Sequence, residues 1–222
     1  MIEIRSLKFG YPDTDFSLRI PDFHVGTQEK VAVIGPSGSG KTTLLNLVAG
    51  ILVPEQGTVR CGGREVSALG DAARRDFRIT RIGFVFQDFE LLDYLNVLDN
   101  VLHPYRITRA LKLTKEVHDR AGELLQQMGL GDKLTRGVER LSQGEKQRVA
   151  ICRALLPSPQ LVLADEATGN LDPRNKGHIL DLLFDAVQAH ESTLLAVTHD
   201  HELLPRFDRI VDFNDFLGAD LA

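Results

Sequence analysis

Cysteine is scarce in this sequence, which has only two, Cys61 and Cys152, among 222 residues. They lie far apart and form no Cys-x-x-Cys or Cys/His pattern, so the sequence predicts neither a disulfide framework nor a zinc site. A reducing compartment suits such a chain.

Long hydrophobic runs are absent as well. No run approaches the roughly 18 apolar residues that cross a bilayer. The N-terminal stretch "MIEIRSLKFG" alternates like a strand and lacks the basic-then-apolar order of a signal peptide. We therefore expect any membrane role to depend on a partner protein.

The sequence also lacks an excess of positive charge. It has 26 Lys and Arg against 31 Asp and Glu, a net charge of −5. Broad binding to nucleic acid or to anionic membranes usually needs a basic face, so we expect no nucleic-acid partner. The one basic cluster, "RRDFRITR" at residues 74–81, is typical of a solvated helix face, with a nucleic-acid patch as the less favoured alternative.

Buried strands and helices alternate through most of the chain. Short apolar runs bounded by turn residues predict buried strands at 30–35, 81–87, 161–165 and 193–199. Helical patterns occupy 40–52, 114–129, 142–156 and 175–190. This alternation predicts an α/β fold with a mostly parallel core sheet.

Other regions depart from that alternation. Residues 1–29 and 55–65, with turn signals at "YPDTD" and "CGG", predict short antiparallel strands that form a β-flank. Residues 88–140 hold only helical pattern and predict an inserted helical subdomain. We expect one domain, residues 1–222, whose core and flank comprise 1–87 and 141–222.

The first buried strand leads into a candidate phosphate loop. "GPSGSGKT" matches G-x-x-x-x-G-K-[ST] between a strand and a helix, and its glycines let backbone N–H groups wrap a phosphate chain. Lys41 suits the β- and γ-phosphates, and the Thr42 hydroxyl suits Mg²⁺. The predicted nucleotide-binding residues here are Gly35, Pro36, Ser37, Gly38, Ser39, Gly40, Lys41, Thr42 and Thr43. The loop predicts a P-loop NTPase and leaves kinase, GTPase and ATPase open, with a plain glycine-rich turn as the weaker alternative.

Polar side chains follow the other predicted parallel strands. Asp165 and Glu166 end "LVLADE" at the carboxyl edge of the sheet, where open α/β sheets bind ligands. We predict that Asp165 holds Mg²⁺ and that Glu166 is the general base, although two acids could simply cap the next turn. His199 and Gln87 also end strands. Each alone would be an ordinary structural residue, but beside a phosphate loop we expect His199 to reach the nucleotide and Gln87 the metal or water.

"LSQGEKQRVA", residues 141–150, has a Ser followed three residues later by Glu. This capping-box pattern predicts a helix N-terminus. Such an end also attracts anions through its unpaired N–H groups and the helix dipole. The residues alone leave both interpretations open and do not identify the anion.

The phosphate loop, the strand-end Gln, "LSQGE", "LVLADE", "NLD" and "TH", in this order, resemble the ATPase subunits of ATP-binding cassette transporters over essentially the whole chain. "GFVFQDFELLDYLNVLDNV" and "ADEATGNLD" are similar, more narrowly, to the ATPases of lipoprotein-release and macrolide-exporter-type permeases. The resemblance implies an Mg²⁺-dependent ATP hydrolase that works as a homodimer. It also implies that the dimer energises an integral-membrane permease at the inner face of the cell membrane.

The resemblance implies roles for individual residues. Tyr11 would stack on the adenine, and His199 would respond to the γ-phosphate. Ser142 and Gly144 would hold the γ-phosphate of the opposite subunit's ATP, and Asp172 would lie in a loop that links the two sites. The anion at "LSQGE" would then be the partner's ATP.

Gln87 would contact Mg²⁺ or the water and sense the permease in such a protein. The stretch that follows, "FELLDYLNV" at residues 89–97, is densely apolar. It either packs wholly inside the helical subdomain or leaves side chains exposed as a groove for a cytoplasmic permease helix. We hypothesise the second arrangement.

Some positions depart from the family pattern. Gln143 and Glu145 replace a glycine and a glutamine of the usual Leu-Ser-Gly-Gly-Gln signature. A positive φ at Gln143 would be costly, so we expect an ordinary backbone there. Ala167 stands where the nearest subgroup usually has proline, and the C-terminal "DRIVDFNDFLGADLA" lacks the usual Asp-Gly hairpin.

Two rival functions are a soluble cassette ATPase that acts on DNA or ribosomes and a nucleotide switch without hydrolysis. Relatives of the first kind usually carry a long coiled-coil insertion or two cassettes in one chain, and this sequence has neither. The presence of Lys41, Asp165, Glu166 and His199 argues against the second.

Overall fold

A computed structural model describes residues 1–169 and 173–217. The strands are β1 (Ile2–Gly10), β2 (Ser17–Val25), β3 (Lys30–Ile34), β4 (Gln56–Cys61), β5 (Arg64–Glu65), β6 (Ile82–Val85), β7 (Leu161–Asp165), β8 (Thr193–Val197) and β9 (Arg209–Asp212). The α-helices are α1 (Lys41–Val48), α2 (Asp71–Arg81), α3 (Val97–Arg106), α4 (Lys115–Gln127), α5 (Gln143–Leu155), α6 (Pro173–Ala189) and α7 (Asn214–Leu217). Short 3₁₀ helices span Gly131–Lys133, Val138–Arg140 and His201–Arg206.

The central sheet is parallel throughout, with strand order β6-β7-β8-β3-β9. This confirms the predicted parallel core. All four predicted strands are present, and the sequence prediction missed only the edge strand β9. β9 has four residues, none of them fully buried, and only Ile210 and Val211 are apolar, so it lacks the continuous apolar run that identified the others.

The central sheet is covered on both faces because its side chains alternate in direction. Leu161 and Leu163 of β7 face a core shared with α1 and the flanking strands. Val162 and Ala164 face a second core formed with α3 to α6. Both faces of the sheet are therefore buried, which explains why these strands show continuous apolar runs rather than alternating apolar and polar residues.

A second sheet is antiparallel, with order β2-β1-β4-β5. Ile2 pairs with Val25 on one side and with Cys61 on the other. Alternate residues of β2 are buried, as expected for a sheet with one solvated face. The predicted antiparallel flank is confirmed.

The segment between β6 and α5 contains α3, α4 and two 3₁₀ helices. Asn96 caps α3 by accepting a hydrogen bond from the backbone N–H of Asp99 at 2.8 Å, and Thr114 caps α4. Val101 and Leu125 bury this segment against α5. No helix among residues 1–169 and 173–217 has both the length and the apolar character to cross a membrane.

The basic cluster lies on α2, as predicted, but its face is only partly solvated. Arg75 is exposed and pairs with Asp71. Arg78 is half-buried, contacts the carbonyl oxygens of Ala49 and Gly50, and has its pKa lowered chiefly by burial. Half of the predicted solvated face therefore packs on the chain itself.

Candidate functional site

The backbone of the loop between β3 and α1 requires glycine at position 40. Gly40 has φ of +103°, and a Cβ there would lie 2.9 Å from Cζ of Phe16. α1 begins directly after Gly40, and no side chain caps its N-terminus. The first N–H groups of α1 are therefore left for another acceptor, which suits an anion such as a phosphate.

Lys41 is buried inside this loop. Its Nζ donates to the carbonyl oxygens of Gly35 at 2.9 Å and Pro36 at 2.6 Å. Burial lowers the pKa of Lys41, and the nearby Glu166 and Asp165 carboxylates act in the opposite direction. The ammonium is thus held by neutral carbonyl oxygens, which a phosphate could replace as a stronger acceptor.

Asp165 ends β7 at the carboxyl edge of the parallel sheet. Burial raises the pKa of Asp165, and a hydrogen bond with the Thr42 side chain opposes that rise. The hydroxyl and the carboxylate together offer the hard oxygen ligands that Mg²⁺ prefers. These two residues could therefore hold a magnesium ion.

Strand register brings Glu166 and His199 together. Asp165 pairs with Val197 across β7 and β8, so the residues that follow them emerge side by side. Oε2 of Glu166 lies 2.7 Å from Nε2 of His199. Glu166 has φ of +47°, a costly conformation for a residue with a side chain, and its N–H donates to the Val197 oxygen at 3.0 Å.

Tyr11 is held by two aromatic rings and one hydrogen bond. Its ring centroid lies 4.9 Å from that of Phe9 and 5.4 Å from that of Phe16. Its hydroxyl lies 3.1 Å from the Thr43 Oγ1. Tyr11 remains 37% exposed, so its ring is fixed in place and still accessible.

Most predicted residues line one cavity of about 370 Å³. Its lining is Tyr11, Thr14, Phe16, Ser37, Gly38, Gly40, Lys41, Thr42, Thr43, Glu166 and His199. Gln87 lines a separate cavity of about 730 Å³, to which Glu166 and His199 also contribute. These two residues therefore connect the nucleotide loop with the loop that follows β6.

Ser142 and Gly144 are placed differently. Ser142 caps α5 with the full predicted capping box, and it is exposed. Within the described part of the chain, Ser142 and Gly144 line neither of the two cavities. Gln143 begins α5 without a positive φ, which confirms the expected backbone. Asp172, the remaining predicted residue, lies outside the described residues.

Comparison with known proteins identifies the family. Residues 18–169 match the sequence model described as ABC transporter. The chain belongs to the ABC transporter ATPase family. It is 44% identical, over 85% of its length and 81% of the relative, to the "Lipoprotein-releasing system ATP-binding protein LolD" of Hydrogenovibrio crunogenus. It is 39% identical, over 100% of its length and 96% of the relative, to "LolD 2" of Rhodopseudomonas palustris.

Solved ABC cassettes share the fold. A dimeric post-hydrolysis structure of the ATP-binding cassette MJ0796, bound to ADP and Pi, has a TM-score of 0.84 and 31% identity. The match covers 96% of this chain and 94% of the MJ0796 chain. A second dimeric structure of the same bacterial ABC transporter cassette matches with TM-score 0.84 and 32% identity. The predicted ABC ATPase fold and ATP-hydrolysing activity are confirmed, and the rival functions are not favoured.

Sequence reasoning missed several residues of this ABC ATPase site. Phe16 and Thr14 line the 370 Å³ cavity, and only their nearness to Tyr11 in the sequence indicated this. The Lys176 Nζ donates to the Asp200 carboxylate at 2.9 Å, which ties α6 to the residue after His199. No sequence signal marked that pair, because its members lie 24 positions apart.

Proposed function

We propose that this ABC ATPase binds Mg-ATP in the 370 Å³ cavity and hydrolyses it as a homodimer attached to an integral-membrane permease. The observation that best supports this proposal is that residues of the phosphate loop line one cavity together with Glu166 and His199. Ser142 and Gly144 do not line that cavity. The similarity to lipoprotein-releasing ATP-binding proteins supports a permease of the lipoprotein-release or macrolide-exporter type. The dimer would then lie at the inner face of the cell membrane.

Each predicted residue has a proposed role in this reaction. Lys41 and the loop N–H groups bind the β- and γ-phosphates, and Tyr11 stacks on the adenine. Glu166 accepts a proton from the attacking water while His199 orients the γ-phosphate and Glu166 itself. Gln87, through the cavity it shares with them, contacts the metal or water.

Magnesium would be held by Thr42 and Asp165, with Gln87 nearby. Bound there, it would neutralise charge on the phosphate oxygens as they separate. The Thr42 side chain helps to lower the pKa of Asp165, and this interaction between the hydroxyl and the carboxylate supports the role. Glu166 would contact the attacking water rather than the metal, because His199 already contacts its carboxylate.

The proposed partner for Ser142 and Gly144 is the ATP held by a second copy. A Cβ at Gly144 would meet only Nη1 of Arg148, at 3.9 Å, so the fold itself does not need glycine there. Close approach of another molecule is one physical reason for a glycine at such a position. The dimeric ABC cassettes with the same fold support this arrangement, in which Asp172 would link the two sites.

Mixing two inactive variants tests the dimer. Lys41→Ala damages the phosphate loop, and Ser142→Arg blocks the signature. If each site combines one copy's loop with the other's signature, a mixed dimer has one site with both lesions and one with none. Random pairing would restore at most about a quarter of the sites. An ATP-bound Glu166→Gln dimer whose Ser142 lies far from the opposite γ-phosphate would refute the arrangement.

We also propose a docking groove for a permease helix between α2 and α3. This α2–α3 groove has a volume of about 590 Å³, and its apolar lining includes Ile79, Ile82, Phe84, Phe86 and Ile107. Of residues 89–97, only Glu90 lines it, since Phe89 and Val97 are buried and Tyr94 is exposed elsewhere. The groove therefore replaces the apolar stretch as the proposed helix-binding surface.

Arg153 links the groove to the signature helix. It lies on α5, lines the groove, and donates to the carbonyl oxygens of Phe89, at 2.6 Å, and Glu90. Burial lowers the pKa of Arg153 to about 10, and the neighbouring Glu90 partly offsets this. A permease helix in the groove would thus contact a side chain that is fixed to both α5 and the turn after Gln87.

A pair of substitutions tests the groove. Ile107, which is 62% exposed, lines it, whereas Leu113, which is 44% exposed, does not. Ile107→Asp should abolish co-purification of the permease while ATP affinity stays unchanged. Leu113→Asp should leave both unchanged. Equal permease binding by the two variants would show that the helix docks elsewhere.

The domain organisation remains our proposal. We propose that residues 1–222 form one ABC ATPase domain. The core and flank span 1–87 and 141–222, and a helical subdomain spans about 88–140. The α-helices found between β6 and α5 support that division, and so does their burial against α5.

A further inference from the structure

The signature of this chain contains a carboxylate, and a carboxylate repels any phosphate that binds at the same helix end. Glu145 is the third residue of α5, and one of its oxygens accepts a hydrogen bond from the Ser142 N–H at 2.8 Å. A carboxylate in the first turn stabilises the helix by opposing its dipole. The same negative charge weakens the attraction of that helix end for any other anion.

Lys133 meets this carboxylate. Its Nζ lies 2.5 Å from the second oxygen, Oε1, of Glu145, so both carboxylate oxygens have a partner. The Lys133 and Glu145 side chains are only 22% and 16% exposed. The Lys133 hydrogen bond is the main reason that the pKa of Glu145 is lowered to about 2. Glu145 is therefore ionised at any physiological pH.

Backbone hydrogen bonds hold Lys133 in place. Lys133 ends the Gly131–Lys133 3₁₀ helix; its N–H donates to the Leu130 oxygen at 3.0 Å, and its carbonyl accepts from Arg136 at 2.9 Å. Leu130 is fully buried. The ammonium is thus anchored by a segment other than the helix that it serves.

We propose that Lys133 is a positioning residue of the composite ATP site. Its ammonium holds the Glu145 carboxylate against the Ser142 N–H and neutralises its charge, so that the α5 N-terminus attracts the triphosphate bound by a second copy. This inference rests on the proposed homodimer. It explains how a glutamate can stand in the signature, where the family pattern has a neutral glutamine.

A purely structural role makes a different prediction. A capping box needs no lysine, and a partly exposed ion pair contributes little to stability. A stabilising pair would change the melting temperature and leave ATP-driven dimerisation unchanged. The proposed role affects dimerisation far more than melting.

The experiment measures ATP-driven dimerisation by sedimentation in the Glu166→Gln background, where hydrolysis does not consume the ATP. Lys133→Met should weaken dimerisation about ten-fold or more, because each dimer then carries two uncompensated carboxylates beside triphosphates. Glu145→Gln in the same chain should bring it back to within about three-fold. The amide oxygen can still accept from Ser142, and the charge is gone.

Matched controls separate this effect from general charge changes. Lys112→Met and Glu123→Gln remove the same charges from exposed positions and should leave dimerisation unchanged. Melting of each nucleotide-free variant checks the fold, and Lys133→Gln substitutes if Lys133→Met fails to fold. A double variant as weak as the single lysine variant, or a lysine variant that dimerises normally, would overturn the inference. If the Glu166→Gln parent itself stays monomeric with ATP, the proposed homodimer fails instead.

Discussion

The phosphate loop and the signature end of α5 both suit a phosphate, but the fold constrains them very differently. The fold itself constrains the residues of the loop, because Gly38 and Gly40 have positive φ angles and Lys41 is buried. At the signature, Ser142 is exposed and Gly144 has space for a side chain. The fold thus constrains the loop strongly, whereas an outside molecule would give the signature its constraints.

Glu166→Gln should have the largest effect. The amide fills the same space but cannot accept a proton from water, so we expect kcat to fall by about 10² to 10⁴. ATP affinity should change by no more than a few-fold. Steady-state hydrolysis and calorimetric titration measure the two quantities. Turnover near the wild-type rate would mean that another group is the base.

Lys41→Ala should mainly affect binding. It removes a charge and its hydrogen bonds to the phosphates, a loss of about 3 kcal/mol or over 100-fold in Kd. Lys112→Ala, which removes an exposed lysine, is the matched control. Calorimetry with Mg-ATP measures both variants. Unchanged affinity in Lys41→Ala would reject the phosphate-loop assignment.

Two glycine substitutions compare the regions directly. Gly40→Ala places a Cβ at a left-handed position against Phe16, so we expect a loss of about 1 to 3 kcal/mol in the free energy of unfolding. Gly144→Ala should leave that free energy unchanged or raise it by up to about 1 kcal/mol, because alanine favours a helix. Denaturant unfolding measures both.

Gly144→Ala should affect function rather than folding. Gly144→Ala should fold well yet fail to dimerise with ATP in the Glu166→Gln background, because its methyl group occupies the space that the partner's phosphate needs. If Gly144→Ala dimerises like its parent, no molecule approaches this helix end closely. The signature would then be only a helix cap.

The sequence was sufficient to predict the parallel sheet and the glycine-rich turn between β3 and α1 because both have local signals. Continuous apolar runs mark strands buried on two faces, and the glycine pattern of 35–42 follows from backbone geometry. The edge strand β9 and the Lys176–Asp200 pair were missed. The first has only two apolar residues and none that is fully buried, and the second depends on a tertiary contact between distant positions.

The proposed docking groove illustrates the same limit. The apolar stretch 89–97 is visible in the sequence, but side-chain direction decides which of its residues are exposed. Phe89 and Val97 turn inward, Tyr94 is 80% exposed, and residues from α2, β6 and α3 line the proposed groove. Periodicity cannot supply that information for a segment outside regular helices and strands.

The smallest expected effect on folding is at Ser142, where it separates the helix cap from the ligand site. The Glu145 N–H donates to the Ser142 Oγ at 3.3 Å, and Ser142→Ala removes that acceptor while the reciprocal bond to Glu145 survives. We therefore expect a loss of only about 0.5 to 1 kcal/mol in the free energy of unfolding.

Ser142→Asp caps a helix as well as serine does and should retain that stability. It adds a second carboxylate beside Glu145, however, and Lys133 is already paired with Glu145. ATP-driven dimerisation in the Glu166→Gln background should thus fall more in Ser142→Asp than in Ser142→Ala, the reverse of their order in stability. Denaturant unfolding and sedimentation measure the two orders, and the same order in both would mean that Ser142 acts on the helix alone.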